Sequence, residues 1–332
     1  MNTPAICNIE SDIYYQKEYS NLYLQNSDEE LFEYLYKEDD SYVQFRSIKR
    51  LISKVSGTSI QETLYDLETP YGYGGPVSNS FDKDFLKRAF TSYKHHCKEQ
   101  NIVCEFIRFH PFNSLANCSY LFDMHFPERQ VVIVDLQVSD EERRKQYSKT
   151  TRNIVKKAIK RLSVEVDTSN VDDFMSVYYQ TMTKNGADEF FFFQKEYFSA
   201  LMALNGVHLI SAKLDDELAA IGYFMCWGEL AHYHLSANNQ NMSKENGNYL
   251  LLDAAFDLAK EKGCNYMMLG GGRTSSPDDS LFKFKSKFSS ITMPFYISGL
   301  DFLPEKRAEL NSLWVEQNQD KPAPKLFQLY RA

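Results

Sequence analysis

Three extended runs follow one another almost without pause, Val207 to Lys213, Ala219 to Trp227 and Leu230 to Ala237, and they constrain this chain more than any other feature. Strands joined by so few residues can pair only as an antiparallel meander. Asp215-Asp216-Glu217 supplies the first turn. Upstream, Leu162 to Asp167 alternates as a strand, Val171 to Lys184 carries apolar residues at helical spacing, and a second helix is predicted from Gln194 to Leu204. Downstream, Asn246 to Lys262 reads as a helix stopped by Gly263, Tyr266 to Leu269 as a strand, Asp279 to Phe288 as a helix and Met293 to Ile297 as a strand.

The first half gives a similar, less regular series. It predicts a strand near Ile13, a helix from Asp28 to Tyr36, and strands over Tyr42 to Phe45, Ile48 to Val55 and Glu62 to Leu67. A helix from Phe81 to Lys98 and strands from Ile102 to Phe109 and Val131 to Leu136 follow. The element order of the second half is that of the GNAT acyltransferase fold, which this half resembles. The expected fold is therefore α/β, of mixed α+β character: two tandem GNAT-like domains, each a mostly antiparallel central sheet flanked by helices. Residues 1–160 are expected to form the acceptor-side domain, ending in a basic connecting helix, and residues 161–332 the donor-side domain.

A length of 332 residues has room for both, and 43% hydrophobic with 25% charged residues is the balance of a folded globular chain. The apolar runs fall short of the ~20 residues of a membrane helix, and the N-terminus lacks a basic-then-apolar leader, so a cytoplasmic protein without an integral membrane segment is expected. The cysteines at 7, 97, 104, 118, 226 and 264 include no C-x-x-C pair and read as reduced structural thiols. His95 and His96 are adjacent, so on a helix they diverge, and no metal is expected. A net charge of −8 argues against broad attraction to nucleic acid, and DNA is not an expected partner. The basic stretch from Arg143 to Arg161 keeps tRNA as a candidate.

Thr69-Pro70-Tyr71-Gly72-Tyr73-Gly74-Gly75-Pro76 lies at a strand-to-helix junction, and Asn238 to Asn248 holds the equivalent junction of the second half. Glycines there admit close approach of a ligand to the main chain, and a helix N-terminus favours anions. Together with Thr151-Arg152-Asn153-Ile154-Val155-Lys156-Lys157-Ala158 and Leu281-Phe282-Lys283-Phe284-Lys285-Ser286-Lys287-Phe288, the first loop resembles the FemABX family over nearly the whole chain. Members transfer aminoacyl groups from tRNA to a peptidoglycan precursor, and many relatives are acyltransferases of undetermined or acyl-CoA-dependent chemistry. The resemblance implies that Tyr71, Tyr73, Gly74, Gly75, Arg152 and Asn153 contact the acceptor, a small-molecule or lipid-linked sugar precursor, and that Lys285 stabilises the donor's oxyanion or leaving group.

Arg108, charged within an apolar strand, is either paired inside or aimed into a cleft. His234 is a candidate proton acceptor beside a structural reading, and Asn238, Asn239, Lys244, Gly247 and Asn248 are the candidate lining for the donor. Lys244 and Tyr249 depart from the usual pyrophosphate-loop pattern, which keeps only Gly247. Gly270-Gly271-Gly272-Arg273 reads as an anion cradle or as a plain connector. The expected activity is N-acyl transfer from acyl-CoA, as co-substrate, to an amino group of a cell-envelope or surface-polysaccharide precursor. The alternatives are an aminoacyl-tRNA-dependent peptidoglycan aminoacyltransferase and a non-catalytic GNAT-like ligand-binding protein.

Overall fold

A computed structural model describes residues 8–24, 26–184, 186 and 191–332; Cys7 lies outside them. Along the chain, helix α1 (Lys17–Asn21) is followed by strands β1 (Glu29–Glu38), β2 (Ser41–Leu51), β3 (Lys54–Val55), β4 (Thr58–Ser59), β5 (Tyr65–Glu68) and β6 (Val77–Ser78). Helix α2 (Lys83–Glu99), β7 (Ile102–Arg108), β8 (Met124–Asp135), α3 (Asp140–Gln146), α4 (Lys149–Ala158) and β9 (Ser163–Val166) come next. Then come α5 (Val171–Lys184), α6 (Lys195–Met202), β10 (Val207–Leu214), β11 (Glu217–Trp227) and β12 (Leu230–Asn238). Helix α7 (Gly247–Glu261), β13 (Tyr266–Gly270), α8 (Ser280–Lys285), β14 (Ile291–Asp301) and α9 (Pro304–Gln317) complete the series.

Two compact units result, and the division does not fall at residue 160. The larger holds the chain up to Leu22 together with Arg129–Pro294, and the smaller holds Tyr23–Glu128 together with Phe295–Ala332. The chain therefore passes between units within β8 and again within β14.

In the smaller unit the strands run in the order β1, β2, β5, β7, β14. All neighbours are antiparallel except β5 and β7, which α2 connects as a crossover. Asp82 starts α2 by accepting a hydrogen bond from Phe85 N at 2.7 Å, and the helix buries Phe85, Leu86, Ala89, Phe90, Tyr93 and Cys97. Residues 29–38 form a strand, not the expected helix. Phe32, Tyr34 and Tyr36 recur with period two and pack on Tyr93 and its neighbours, while Leu35 is 59% exposed on the other side. The two strands expected between Tyr42 and Val55 are mainly one, β2, and the region of Ile13 is a short 3-10 turn capped by Asp12.

The larger unit repeats this plan with the order β8, β13, β12, β11, β10, β9. Again one pair, β12 and β13, is parallel and is joined by a crossover helix, α7. Its core packs Leu251, Leu252, Ala255 and Phe256 of α7 against Ile210, Ala220, Phe224, Met267 and Leu269 of the sheet. Each unit is a mostly antiparallel sheet flanked by helices, as a tandem GNAT-like chain requires.

Candidate active site

The parallel pairing of β12 with β13 covers only Leu230–His232 against Tyr266–Met268. Strand β13 pairs with β8 along its length, from Tyr266 opposite Asp135 to Gly270 opposite Val132 with an irregularity between Met268 and Gly270, while β12 continues from Tyr233 beside β11 alone. The register with β11 slips between Tyr223 and Phe224, so that Tyr223 faces Leu235, Phe224 faces Tyr233, and His234 is the extra bulged residue. The hydrogen-bonded sheet thus opens between β12 and β13 past His232 and Met268.

Lys285 lies on the flank of that opening. Its helix α8 is started by Asp279, whose Oδ1 accepts hydrogen bonds from Leu281 N at 2.9 Å and Phe282 N at 3.0 Å. Phe282, Phe284 and Phe288 anchor the segment in the core. The lysine is only 7% exposed, and its Nζ donates to Gly271 O at 2.8 Å and stands 5.6 Å from the centre of the Tyr233 ring. Burial, with the nearby Arg129 cation and against the pull of Asp279, holds the Lys285 ammonium down to a pKa of about 7. Arg129 Nη1 donates to Gly272 O at 2.8 Å. Burial disfavours the Asp279 anion, yet backbone donors at Phe282, Arg273, Thr274 and Leu281 outweigh it and keep this carboxyl at about 2.

The triple glycine is therefore more than a loose connector. Its carbonyls receive the Lys285 and Arg129 donors. A Cβ on Gly271 would lie 2.7 Å from Arg129 Cδ, and one on Gly272 would lie 2.4 Å from Asp279 Oδ1. Glycine lets two cations and a carboxylate close around one backbone turn. Arg129, Tyr233 and Asp279 have no motif in the sequence to announce them. The glycine run was their only signal.

His234 stands on the opposite face of the sheet from Lys285. Its Nε2 pairs with Tyr197 Oη at 3.0 Å and its ring meets Tyr19 edge-on, and burial with the neighbouring His232 pushes its pKa down to about 3. The ring is thus uncharged at neutral pH and engaged with Tyr197 and Tyr19. Tyr233, stacked on Phe224 and hydrogen-bonded to Ser236, is the residue of β12 that faces the lysine.

Of the expected donor lining, Asn239 is occupied in shaping its own turn. It accepts from Asn241 N at 3.0 Å and donates to Leu218 O at 2.9 Å. It also borders an open cavity of about 350 Å³ whose walls include Asp173, Asp216 and Glu217, a setting that repels a pyrophosphate. The main chain of Asn238 is tied to Thr181 Oγ1. A Cβ on Gly247 would lie 2.9 Å from Ala219 Cβ, so this glycine serves helix-to-strand packing. Lys244 is exposed and Asn248 half-buried near the start of α7. Tyr249 fills the next turn, its ring against Phe284 and Phe288 and its hydroxyl accepting from Lys287 Nζ at 3.0 Å.

The loop from Thr69 to Pro76 belongs to the smaller unit and is packed rather than open. Gly74 pairs with the end of β7 through Gly74 N to Arg108 O at 2.8 Å and His110 N to Gly74 O at 2.9 Å. Gly75, at φ +94°, sits so close to Phe109 that a Cβ would meet its ring at 2.8 Å. Tyr71 and Tyr73 remain half-exposed, with Tyr73 edge-on to His110 and Phe295. Arg108 takes the paired alternative: its Nη1 lies 2.6 Å from Glu68, which also holds Arg50. Arg152, in the larger unit, caps α3 by donating to Lys145 O at 2.8 Å and Tyr147 O at 2.6 Å, and the adjacent Asn153 is exposed.

Residues 141–285 match the model of the acetyltransferase (GNAT) domain. No curated protein matches the chain. Among solved structures, FemX superimposes with a TM-score of 0.71 at 15% identity, covering 93% of this chain and 99% of its own. L-PGS from Bacillus licheniformis gives 0.53 at 14% identity, covering 87% and 90%. The C-terminal domain of a candidate lysylphosphatidylglycerol synthetase from Agrobacterium fabrum gives 0.52 at 14% identity, covering 90% and 95%.

Proposed function

From the match of residues 141–285 to the acetyltransferase (GNAT) domain and a fold shared with FemX over nearly the whole length, we propose that this chain is a GNAT-fold acyltransferase that forms an amide by transferring an acyl group from acyl-CoA to an amine. The acceptor is an amino group on a cell-envelope or surface-polysaccharide precursor. The observation that carries this reading is the buried Lys285, held on Gly271 O beside the open edge of β12 with a pKa of about 7.

Amide formation needs a proton acceptor for the attacking amine and positive charge for the tetrahedral oxyanion. Neutral Lys285 takes the amine's proton as the new C–N bond forms. The resulting ammonium, with Arg129 nearby, stabilises the oxyanion until the C–S bond breaks and the CoA thiolate leaves. Lys244 and Asn248 are assigned to the donor.

A second donor, aminoacyl-tRNA, is favoured by one feature. The Tyr249 ring occupies the turn where the usual pyrophosphate loop has a small residue, and Gly247 is pressed against Ala219. Transfer can be followed by thiol release from acetyl-CoA with amino sugars and amino-acid acceptors, and in parallel with charged tRNA. Thiol release that depends on Lys285 supports the acyl-CoA reading. Transfer from charged tRNA alone replaces it with the aminoacyl reading, and no transfer from either leaves the chain a ligand-binding protein.

A further inference from the structure

We propose that α4 and the adjoining edge strand β9 form a docking surface for an anionic lipid bilayer. Lys149, Lys156, Lys157 and Lys160 are all exposed, and none has an ion-pair partner among the described residues. From Lys149 to Leu162 the sequence contains no acidic residue, in a chain whose net charge is −8. This run of unbalanced positive charge on one helix of an acidic chain orients the molecule toward a negative surface. The inner face of α4, with Thr151, Val155 and Ala158, is buried in the larger unit, so the lysines project from a rigid support.

Apolar side chains are set among these charges. Ile159 is 52% exposed, and Val164 and Val166 on β9 are 36% and 37% exposed. Val164 lies opposite Ala212 and Val166 opposite Ile210. Those partners belong to the same core clusters as Ala158 and Val155, so both valines share the sheet face on which α7 packs, with α4 beside that helix. The acids here are already engaged: Glu165 of this strand by Lys213 at 2.7 Å, and Asp167 just after it by His208 at 2.7 Å.

Lysines interspersed with aliphatic side chains suit a lipid headgroup layer, where ammonium groups attract phosphates and apolar tips enter the interface. RNA recognition draws instead on arginine forks and aromatic stacking. Here Arg152 is spent on the carbonyls of α3 and Arg161 on Glu245 at 3.0 Å, and the sequence from Lys149 to Val166 has no aromatic residue.

The test is sedimentation of the full chain with vesicles of phosphatidylcholine alone and of phosphatidylcholine with about 30% phosphatidylglycerol, with free tRNA as a separate ligand. Binding to the anionic vesicles only, released by high salt, is expected. Lys156→Glu, Lys157→Glu and Lys160→Glu together should weaken it by about tenfold or more, and the milder triple change to Gln by less. Ile159→Ser should weaken it several-fold with all charges kept. Lys87→Glu with Lys98→Glu on α2 should leave it unchanged, and circular dichroism of each variant establishes that it is folded. Failure to sediment with anionic vesicles, equal loss in the α2 variant, or binding of tRNA without vesicles overturns the proposal.

Discussion

At the scale of single residues, Lys285 and Glu105 show how burial sets a proton's place. Lys285 has a folded pKa near 7 against an ordinary 10.5, so between these values the unfolded chain holds a proton that the folded chain has released, and stability rises with pH across that window. Lys285→Met is therefore expected to raise the melting temperature near neutral pH while abolishing transfer, a pairing that scanning fluorimetry and thiol release would read together. Lys285→Ala should lower turnover by roughly 10²- to 10⁴-fold, and the native rate should climb as pH passes about 7. Glu105 behaves oppositely. Burial raises its pKa to about 7 against the hydrogen bonds from Ser47 at 2.5 Å and Tyr93 at 2.9 Å. Between about 4.5 and 7 the folded state keeps a proton the unfolded state has lost, so this group's stabilisation falls as pH rises. Glu105→Gln should flatten that fall and gain on the order of 2 kcal/mol relative to the native chain above it, as denaturant melts at acid and alkaline pH would measure.

At the scale of elements, glycine positions carry the tightest constraints. Gly75→Ala must accept a φ of +94° and displace the Phe109 ring, and is expected to cost about 1–3 kcal/mol, visible as a lower denaturation midpoint. The same loop shows what the sequence makes legible. Its turn residues mark a junction between β5 and α2, yet they do not reveal that the glycines are occupied by Phe109 and the end of β7, which lie far along the chain. Helices α5 and α7 are readable because their apolar spacing and stops are local. Strand β1 is misread because Phe32, Tyr34 and Tyr36 fit a helical stripe as well as a strand until α2 arrives to receive them. Lys285 is legible as a motif, whereas Arg129 enters the site only through β8, more than a hundred residues earlier.

At the scale of the whole molecule, the C-terminal segment is a structural part of the smaller unit. Tyr330 donates to the buried Asp66 at 2.9 Å, Arg331 pairs with it at 2.8 Å, and Gln328 donates to Leu67 O at 3.1 Å. Removing the residues after Asn318 strips two partners from a carboxylate that is fully buried, leaving Arg50 alone. A loss of roughly 3 kcal/mol or more is expected, with proteolysis appearing first in the smaller unit while the larger persists.

The passage of β14 between units also sets an order of events during synthesis. Strand β7 leaves the ribosome long before Ile297 to Asp301, its antiparallel partners, have been made. Throughout that interval the nascent chain carries an unfinished sheet edge, open to wrong pairing with neighbouring chains. The smaller unit, begun earlier, is thus sealed only after Arg129–Pro294 of the larger unit have been translated.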